Sequence, residues 1–373
     1  MGIIAGAEAF AADMMIPDDG DNIEAGSVNI PFEALADRTV WLQSWHARSA
    51  AMRIACFDVQ RTFASLSSTN KTGRPGYSKK KQRWYVTKPQ TAYYTEVYGA
   101  DWFNQTGTLQ PGTSYHVAFV NDPLNARYGN GLFVPVEADL APYAYTDSTS
   151  TFASSTVLPS ATWTGVQHNA ENDRWVAWST GKLYTSPTNV VAWTARALPG
   201  GSMFPFPPVS NGVTTMVVGK NKGVYTSADL ITWTECTTAF GLTDVSGLVW
   251  DGWRKRFLVV TTNAAGLCET WTTSDSGASW TLLASSIGVN YIFDLVSVGP
   301  AIVGVTLTSF AGYQHLVYSV DGGATWGRAP SPVSGLVDAN TYLSTNGSDI
   351  LAVGIGPTYK DFAFSRGFSP IAF

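Results

Sequence analysis

Thr273-Ser-Asp275-Ser-Gly277-Ala-Ser279-Trp280 and Ser319-Val-Asp321-Gly-Gly323-Ala-Thr325-Trp326 are two copies of one short turn, [ST]xDxGx[ST]W, set 46 residues apart. Its chemistry is that of a hairpin tip. The aspartate accepts hydrogen bonds from turn N–H groups, the glycine takes a backbone conformation that other residues resist, and the tryptophan anchors the tip. Weaker copies extend the register. Tyr225-Thr-Ser227-Ala-Asp229-Leu-Ile-Thr232-Trp233 is one residue shorter, and Tyr184-Thr-Ser186-Pro-Thr-Asn189-Val-Val-Ala-Trp193 puts Asn in place of Asp. Thr95 to Trp102, Ala144 to Phe152 and Phe362 to Phe368 keep fragments of the same frame.

The closing aromatics fall at 102, 152, 193, 233, 280, 326 and 368, which gives seven units of roughly 40 to 50 residues, a period typical of repeat architectures. Each unit has a strand-like run before its turn: Arg83–Thr87, Gly131–Val136, Arg174–Trp178, Thr215–Gly219, Arg256–Thr261, Ala301–Val305 and Asp349–Val353. Apolar and β-branched residues on both faces suit strands buried between neighbouring sheets, with Gly, Asn, Ser and Pro clusters as turns. Only 14% of residues are charged, and 35 Gly with 14 Trp fit an aromatic-anchored β protein that grows by repetition and needs no second globular unit.

The two full turns resemble the Asp-box of sialidase-like propellers, where each copy joins the two outer strands of a four-stranded blade. The resemblance implies an all-β, seven-bladed Asp-box β-propeller over 51–373, with six blades as the alternative count. It also implies structural roles for Asp229, Trp233, Asp275, Gly277, Trp280, Asp321, Gly323 and Trp326 at the blade periphery, so the motif specifies fold better than activity.

Residues 1–50 differ in kind. They hold 8 acidic and 2 basic residues, leaving 20 acidic and 21 basic elsewhere in a chain of net charge −5. An extended, turn-rich arm precedes Asn29-Ile-Pro31-Phe32, where Asn29 serves as a cap and Pro31 suits a first turn. Phe32, Leu35, Trp41, Leu42 and Trp45 then fall on one face of the expected helix, either packed on the propeller or buried against other subunits. Met1 to Ala12 lacks a basic n-region and is broken by Glu8, so it reads as a packing arm rather than a signal peptide, and no segment is expected to insert in a membrane.

DGDN followed by SVNIPFEALADRTVWL resembles the N-terminal attachment segment of tail or fibre proteins of tailed phages and related contractile particles. That resemblance covers about thirty residues. It implies a homo-oligomeric virion component, exposed to the extracellular medium, that docks on other virion subunits through residues 1–50 and presents the β domain to a host-surface glycan. Repeated sites would add avidity to weak contacts.

An enzyme of the sialidase type would need an arginine cluster, a tyrosine nucleophile with a Glu, and an acid/base Asp. Arg53-Ile-Ala55 only faintly echoes the Arg-Ile-Pro of that family, and Arg127, Arg174, Arg254 and Arg328 read as surface or strand-edge cations. His46, His116, His168 and His315 form no metal motif, and nucleotide-loop and serine-elbow patterns are absent. No cofactor or metal is expected. Cys56, Cys236 and Cys268 read as free, mostly buried thiols. Lys79-Lys80-Lys81-Gln-Arg83 reads as a solvated loop, and the acidic balance speaks against nucleic acid. Trp250, Trp253 and Tyr93-Tyr94 are left open between core and surface. The alternative functional class is a secreted sialidase-like glycoside hydrolase or lectin, and a third is a photosystem-type assembly factor.

Overall fold

A computed structural model describes the strands and many of their turns between residues 73 and 365. Residues 1–72 and 366–373 fall outside the described set, as do connecting stretches including 96–102, 121–129, 155–160, 188–192, 198–205, 237–243, 307–315, 329–341 and 354–361. The expected arm and helix, with Phe32, Leu35, Trp41, Leu42 and Trp45, therefore lie outside the described residues, as do Trp102 and Phe368.

The described strands form seven antiparallel sheets. The first orders β1 (Gly76–Ser78), β2 (Arg83–Lys88), β3 (Thr91–Thr95) and β4 (Phe103–Gln105). The second contains β5 (Tyr115–Phe119), β6 (Asn130–Pro135), β8 (Tyr143–Thr146) and β9 (Thr151–Ser154). The third runs from the short β7 (Asp139–Leu140) through β10 (Ala161–Asn169), β11 (Arg174–Ser179) and β12 (Leu183–Pro187) to β13 (Thr194–Arg196). The fourth is β14 (Val209–Ser210), β15 (Thr215–Val218), β16 (Val224–Ser227) and β17 (Thr234–Glu235). The fifth is β18 (Val245–Asp251), β19 (Arg256–Thr262), β20 (Cys268–Thr273) and β21 (Thr281–Ala284). The sixth is β22 (Ile292–Val298), β23 (Ala301–Thr306), β24 (Leu316–Ser319) and β25 (Gly327–Arg328), and the last is β26 (Tyr342–Thr345), β27 (Ile350–Val353) and β28 (Phe362–Ser365).

This is an all-β propeller with no helix among the described residues. The expectation of seven blades, or six, needs correction: among the described residues five sheets are four-stranded blades. The third gains β7, since β10 is nine residues long and its first residues pair on the side away from β11, Ala161 with Leu140 and Thr162 with Asp139. The last sheet has three described strands.

The runs expected to be central are the second strands β2, β6, β11, β15, β19, β23 and β27, within a residue or so at their ends. Burial follows position. Every residue of β15, β23 and β27 is buried, as their mainly apolar and β-branched sequence suits in strands with a neighbour on each face, whereas the outermost β13, β17 and β21 are largely exposed. Apolar clusters fill each seam between consecutive sheets. One example joins Val117, Phe133 and Tyr145 of the second sheet to Tyr85 of the first, and another joins Trp84 and Val86 of the first sheet to Leu351 and Val353 of the last.

Candidate functional site

The turns joining the third and fourth strands hold the repeated motif. Thr273 Oγ1 donates to Asp275 Oδ1 at 2.6 Å and accepts from Gly277 N at 3.0 Å, while Asp275 Oδ1 also accepts from Ser279 N at 2.9 Å. Hydrogen bonds from Ser279 and Thr273 hold the Asp275 carboxyl down to about 2. Ser319, Asp321, Gly323 and Thr325 repeat the arrangement, with Gly323 N donating to Ser319 Oγ at 2.7 Å and Thr325 N to Asp321 at 2.9 Å. Gly277 and Gly323 have φ of +94° and +101°. Trp280 Nε1 donates to the Cys236 carbonyl at 2.8 Å and Trp326 Nε1 to Thr270 Oγ1 at 3.1 Å, so each tryptophan ties its turn to the preceding sheet. In the shorter copy Asp229 accepts from Ile231 N and Thr232 N, and Leu230 takes the positive φ, 61°, in place of glycine. Trp233 packs on the Val176, Trp178 and Tyr225 cluster.

The innermost strands β1, β5, β10, β14, β18, β22 and β26 contribute to two adjoining clefts of about 270 and 250 Å³ along the channel they surround. Both clefts sit toward the C-terminal halves of β10, β18, β22 and β26, with the start of β1 lining the second. Gln167, His168, Pro207, Val296 and Thr345 line both, Asn169, Ser210, Trp250 and Ser297 line the first, and Arg74, Tyr77 and Ser344 line the second. The side chains are chiefly amides, hydroxyls, one imidazole and apolar groups. Gln167 Nε2 donates to the Pro208 carbonyl and so fixes the third sheet against the fourth. Trp250 is half-buried with its ring 4.7 Å from that of Phe257.

Among the described residues Arg74 is the one Lys, Arg, Asp or Glu lining either cleft, and its charge is matched. Its terminal nitrogens meet Asp294 Oδ1 at 2.6 Å and Oδ2 at 3.0 Å, and Nη1 also donates to the Leu343 carbonyl at 2.6 Å. Leu343 N donates to Asp294 Oδ2, and the Arg74 guanidinium lies 5.1 Å from the Tyr342 ring centre. A β-bulge between Phe293 and Val296 places Asp294 at φ 50° and buries its carboxylate, a re-aiming of one side chain that bulges provide. Arg74 N donates to His116 Nδ1 at 3.1 Å, so the imidazole is neutral with its proton on Nε2. Burial first, and the nearby Arg74 charge second, push the fully buried His116 down to about 3.

Neither Arg74 nor Asp294 stood out in the sequence. A Gly-Arg-Pro-Gly run before a strand was the only available cue, and their meeting spans 220 positions. Arg254, expected at a surface or strand edge, instead donates to Asp251 and to the carbonyls of Pro300 and Val320, linking the fifth and sixth sheets. Lys79 and Lys80 are exposed in the β1–β2 turn, Arg83 lies over the Tyr94 ring, and Trp253 is exposed. Glu235 and Glu269 lie on β17 and β20, away from the clefts. Cys236 and Cys268 are free, and burial pushes their thiols up to about 12 and about 11. Cys56, His46, His315, Arg53 and Arg127 lie outside the described residues. Among the described residues, no group of three or more His, Cys, Asp or Glu is placed to hold a metal.

No protein-family model matches the chain, and no curated protein matches it. Solved structures do. YCF48 bound to D1 peptide matches at TM-score 0.59 and 15% identity, covering 82% of this chain and 96% of that one. A chain of the mitotic checkpoint complex matches at 0.58 and 10%, covering 94% and 100%, and U3-55K at 0.56 and 8%, covering 82% and 98%. At such identities the likeness is one of fold, and what this chain shares with them is the β-propeller.

Proposed function

We propose that the protein is a non-enzymatic, receptor-binding component of a tailed-phage or phage-like particle. In this reading, residues 1–50 form the oligomeric attachment segment and the propeller presents a site for a host-surface glycan. The observation that carries the binding half is the lining of the channel clefts. It holds no carboxylate among the described residues, and its one cation is engaged by Asp294, a surface suited to holding hydroxyl-rich ligands rather than to paired-carboxylate hydrolysis. The particle half rests on the N-terminal sequence resemblance.

The described sheets are taken as belonging to one Asp-box ring. The packing of Trp84 and Val86 against Leu351 and Val353, and the Ser344 hydroxyl donating to the Pro75 carbonyl at 2.8 Å, support closure of the last sheet on the first. The turn hydrogen bonds of Asp275 and Asp321 support the Asp-box reading.

The test uses the full chain. Light scattering is expected to give a trimer or higher oligomer, and Leu35→Glu with Trp41→Glu is expected to reduce it to monomer. Labelled oligomer is expected to adsorb to host cells and the monomer to do so at least ten-fold less, the loss of avidity. A monomeric wild type that adsorbs to no cell, or that cleaves sialosides, would sink the proposal.

A further inference from the structure

Arg74 joins the chain before β1 to the second, sixth and last sheets, and His116 is its partner in the second. We infer that the two residues form an acid-sensitive latch: when the His116 imidazole takes up a proton, residues 73–76 lift off β5 and the seam between the first and last sheets opens, while the fourth, fifth and sixth sheets stay folded. This goes beyond the receptor-binding reading and does not rest on it.

The latch is built from one residue's backbone and side chain. Arg74 N donates to His116 Nδ1 at 3.1 Å and its carbonyl accepts from Val117 N at 2.9 Å, which ties the segment to β5. The guanidinium, through Asp294 and the Leu343 carbonyl, ties the same residue to β22 and β26. The fit against β5 has no slack, since a Cβ on Gly73 would collide with the Tyr115 carbonyl and one on Gly76 with that of Val117. Lifting residue 74 off β5 therefore breaks the backbone bonds and pulls on the ion pair together. The seam it guards is lightly held. Among the described residues only Trp84, Val86, Leu351 and Val353 form the buried cluster between the first and last sheets, whereas one cluster running from Phe206 to Ala352 joins the fourth, fifth, sixth and last.

A second proton has no place in the closed latch. His116 is fully buried, its Nδ1 is used as an acceptor and its Nε2–H meets no acceptor. An imidazolium donates from both nitrogens, so its new N–H would face the Arg74 N–H, donor against donor, while the other stayed unpartnered. No acid offsets the charge. Of the elements packed against β5, β1 brings Tyr77, β2 brings Arg83, Tyr85 and Lys88, β10 brings His168, and β6 has no ionisable residue. Tyr342 of β26 meets the imidazole edge-on, with ring centres 5.4 Å apart, and Asp294 of β22 is taken by Arg74. Burial first and the Arg74 charge second hold the closed imidazole down to about 3 from an ordinary 6.5. With the affinity lowered in the closed form, closure is fully favoured above pH 6.5 and is lost progressively as pH falls toward 3. An open latch frees the ring to titrate normally, so the opening constant rises about ten-fold per pH unit below 6.5, which makes about a hundred-fold by pH 4.5.

The test is hydrogen exchange of the full-length protein, read by mass spectrometry from about pH 7.5 to about pH 4.5, with exchange times scaled to the intrinsic rate at each pH. Protection of residues 73–78, 115–119 and 350–353 is expected to fall about a hundred-fold over that range and to end at least ten-fold below that of the central strands β15 and β19. His116→Gln offers a side-chain carbonyl to Arg74 N and takes no proton, so its protection is expected to stay within about three-fold across the range. His168→Gln, which changes the half-buried imidazole of β10, is expected to leave the fall in place. Should His116→Gln fail to fold, the wild type decides alone, because one proton taken up per opening gives about ten-fold per pH unit starting near 6.5. Exchange of the latch strands in step with β15 and β19, flat protection across the range, a fall confined to below about pH 4.5, where carboxylates titrate, or the same fall in His116→Gln would each overturn the inference.

Discussion

Gly323 and Leu230 solve the same problem in opposite ways. At φ +101°, with Leu258 and Thr270 against the position a Cβ would take, Gly323 has neither the backbone preference nor the space for a side chain. Gly323→Ala is therefore expected to cost about 2 kcal/mol or more in a urea titration followed by tryptophan fluorescence. Leu230 accepts the left-handed conformation and, at 2% exposure, buries its side chain in the Val176 and Trp178 cluster. Burying a leucine contributes about 1.5–3 kcal/mol, against about 1–2 kcal/mol for the conformation. Leu230→Gly should thus destabilise, by about 1 kcal/mol in the same titration, although it restores the glycine of the full motif. The sequence exposed the aspartates, glycines and tryptophans of these turns because local hydrogen bonding dictates them. It did not expose Leu230, whose tolerance of strain depends on the neighbouring sheet.

At the scale of elements, the first and sixth sheets are pinned by one ion pair, reaching past the first strand of the last sheet. Arg74 precedes β1, Asp294 sits in the bulge of β22, and both bond to the backbone of Leu343 on β26. Removing one partner strands a buried charge, so Arg74→Met is expected to lose about 3 kcal/mol or more, whereas Arg74→Met with Asp294→Leu recovers much of that loss. Paired urea titrations of the two variants check this, and equal destabilisation would show that the backbone bonds dominate. The seven central strands were legible because a strand buried on both faces carries apolar and β-branched residues at consecutive positions. The clasp was not, since nothing local marks a residue whose partner lies 220 positions away.

For the whole molecule the acid limb of stability follows from His116. Its proton affinity in the fold is lowered to about 3 from an ordinary 6.5, so below pH 6.5 the unfolded chain binds a proton that the fold refuses. Stability therefore declines as pH falls from about 6.5 toward 3, by an amount on the order of a few kcal/mol. The turn aspartates add a second loss further down. Asp229 and Asp275 are held at about 2 by turn hydrogen bonds, and what they contribute is lost as pH falls below about 4 through 2. His116→Gln should flatten the melting temperature between pH 6.5 and 4 and leave the lower limb intact. A profile unchanged by that variant would mean another group titrates.

The sequence by itself determined the repeat, its central strands, its turn chemistry and the all-β class, because each of these is a local demand met within a few residues. Only the tertiary structure decided that two sheets depart from four strands, that Arg74, His116 and Asp294 meet, and that Gln167, Trp250, Ser297 and Thr345 face one channel cleft. These arise from the closing of separate sheets around an axis, where residues far apart in the chain become neighbours for reasons no single unit encodes.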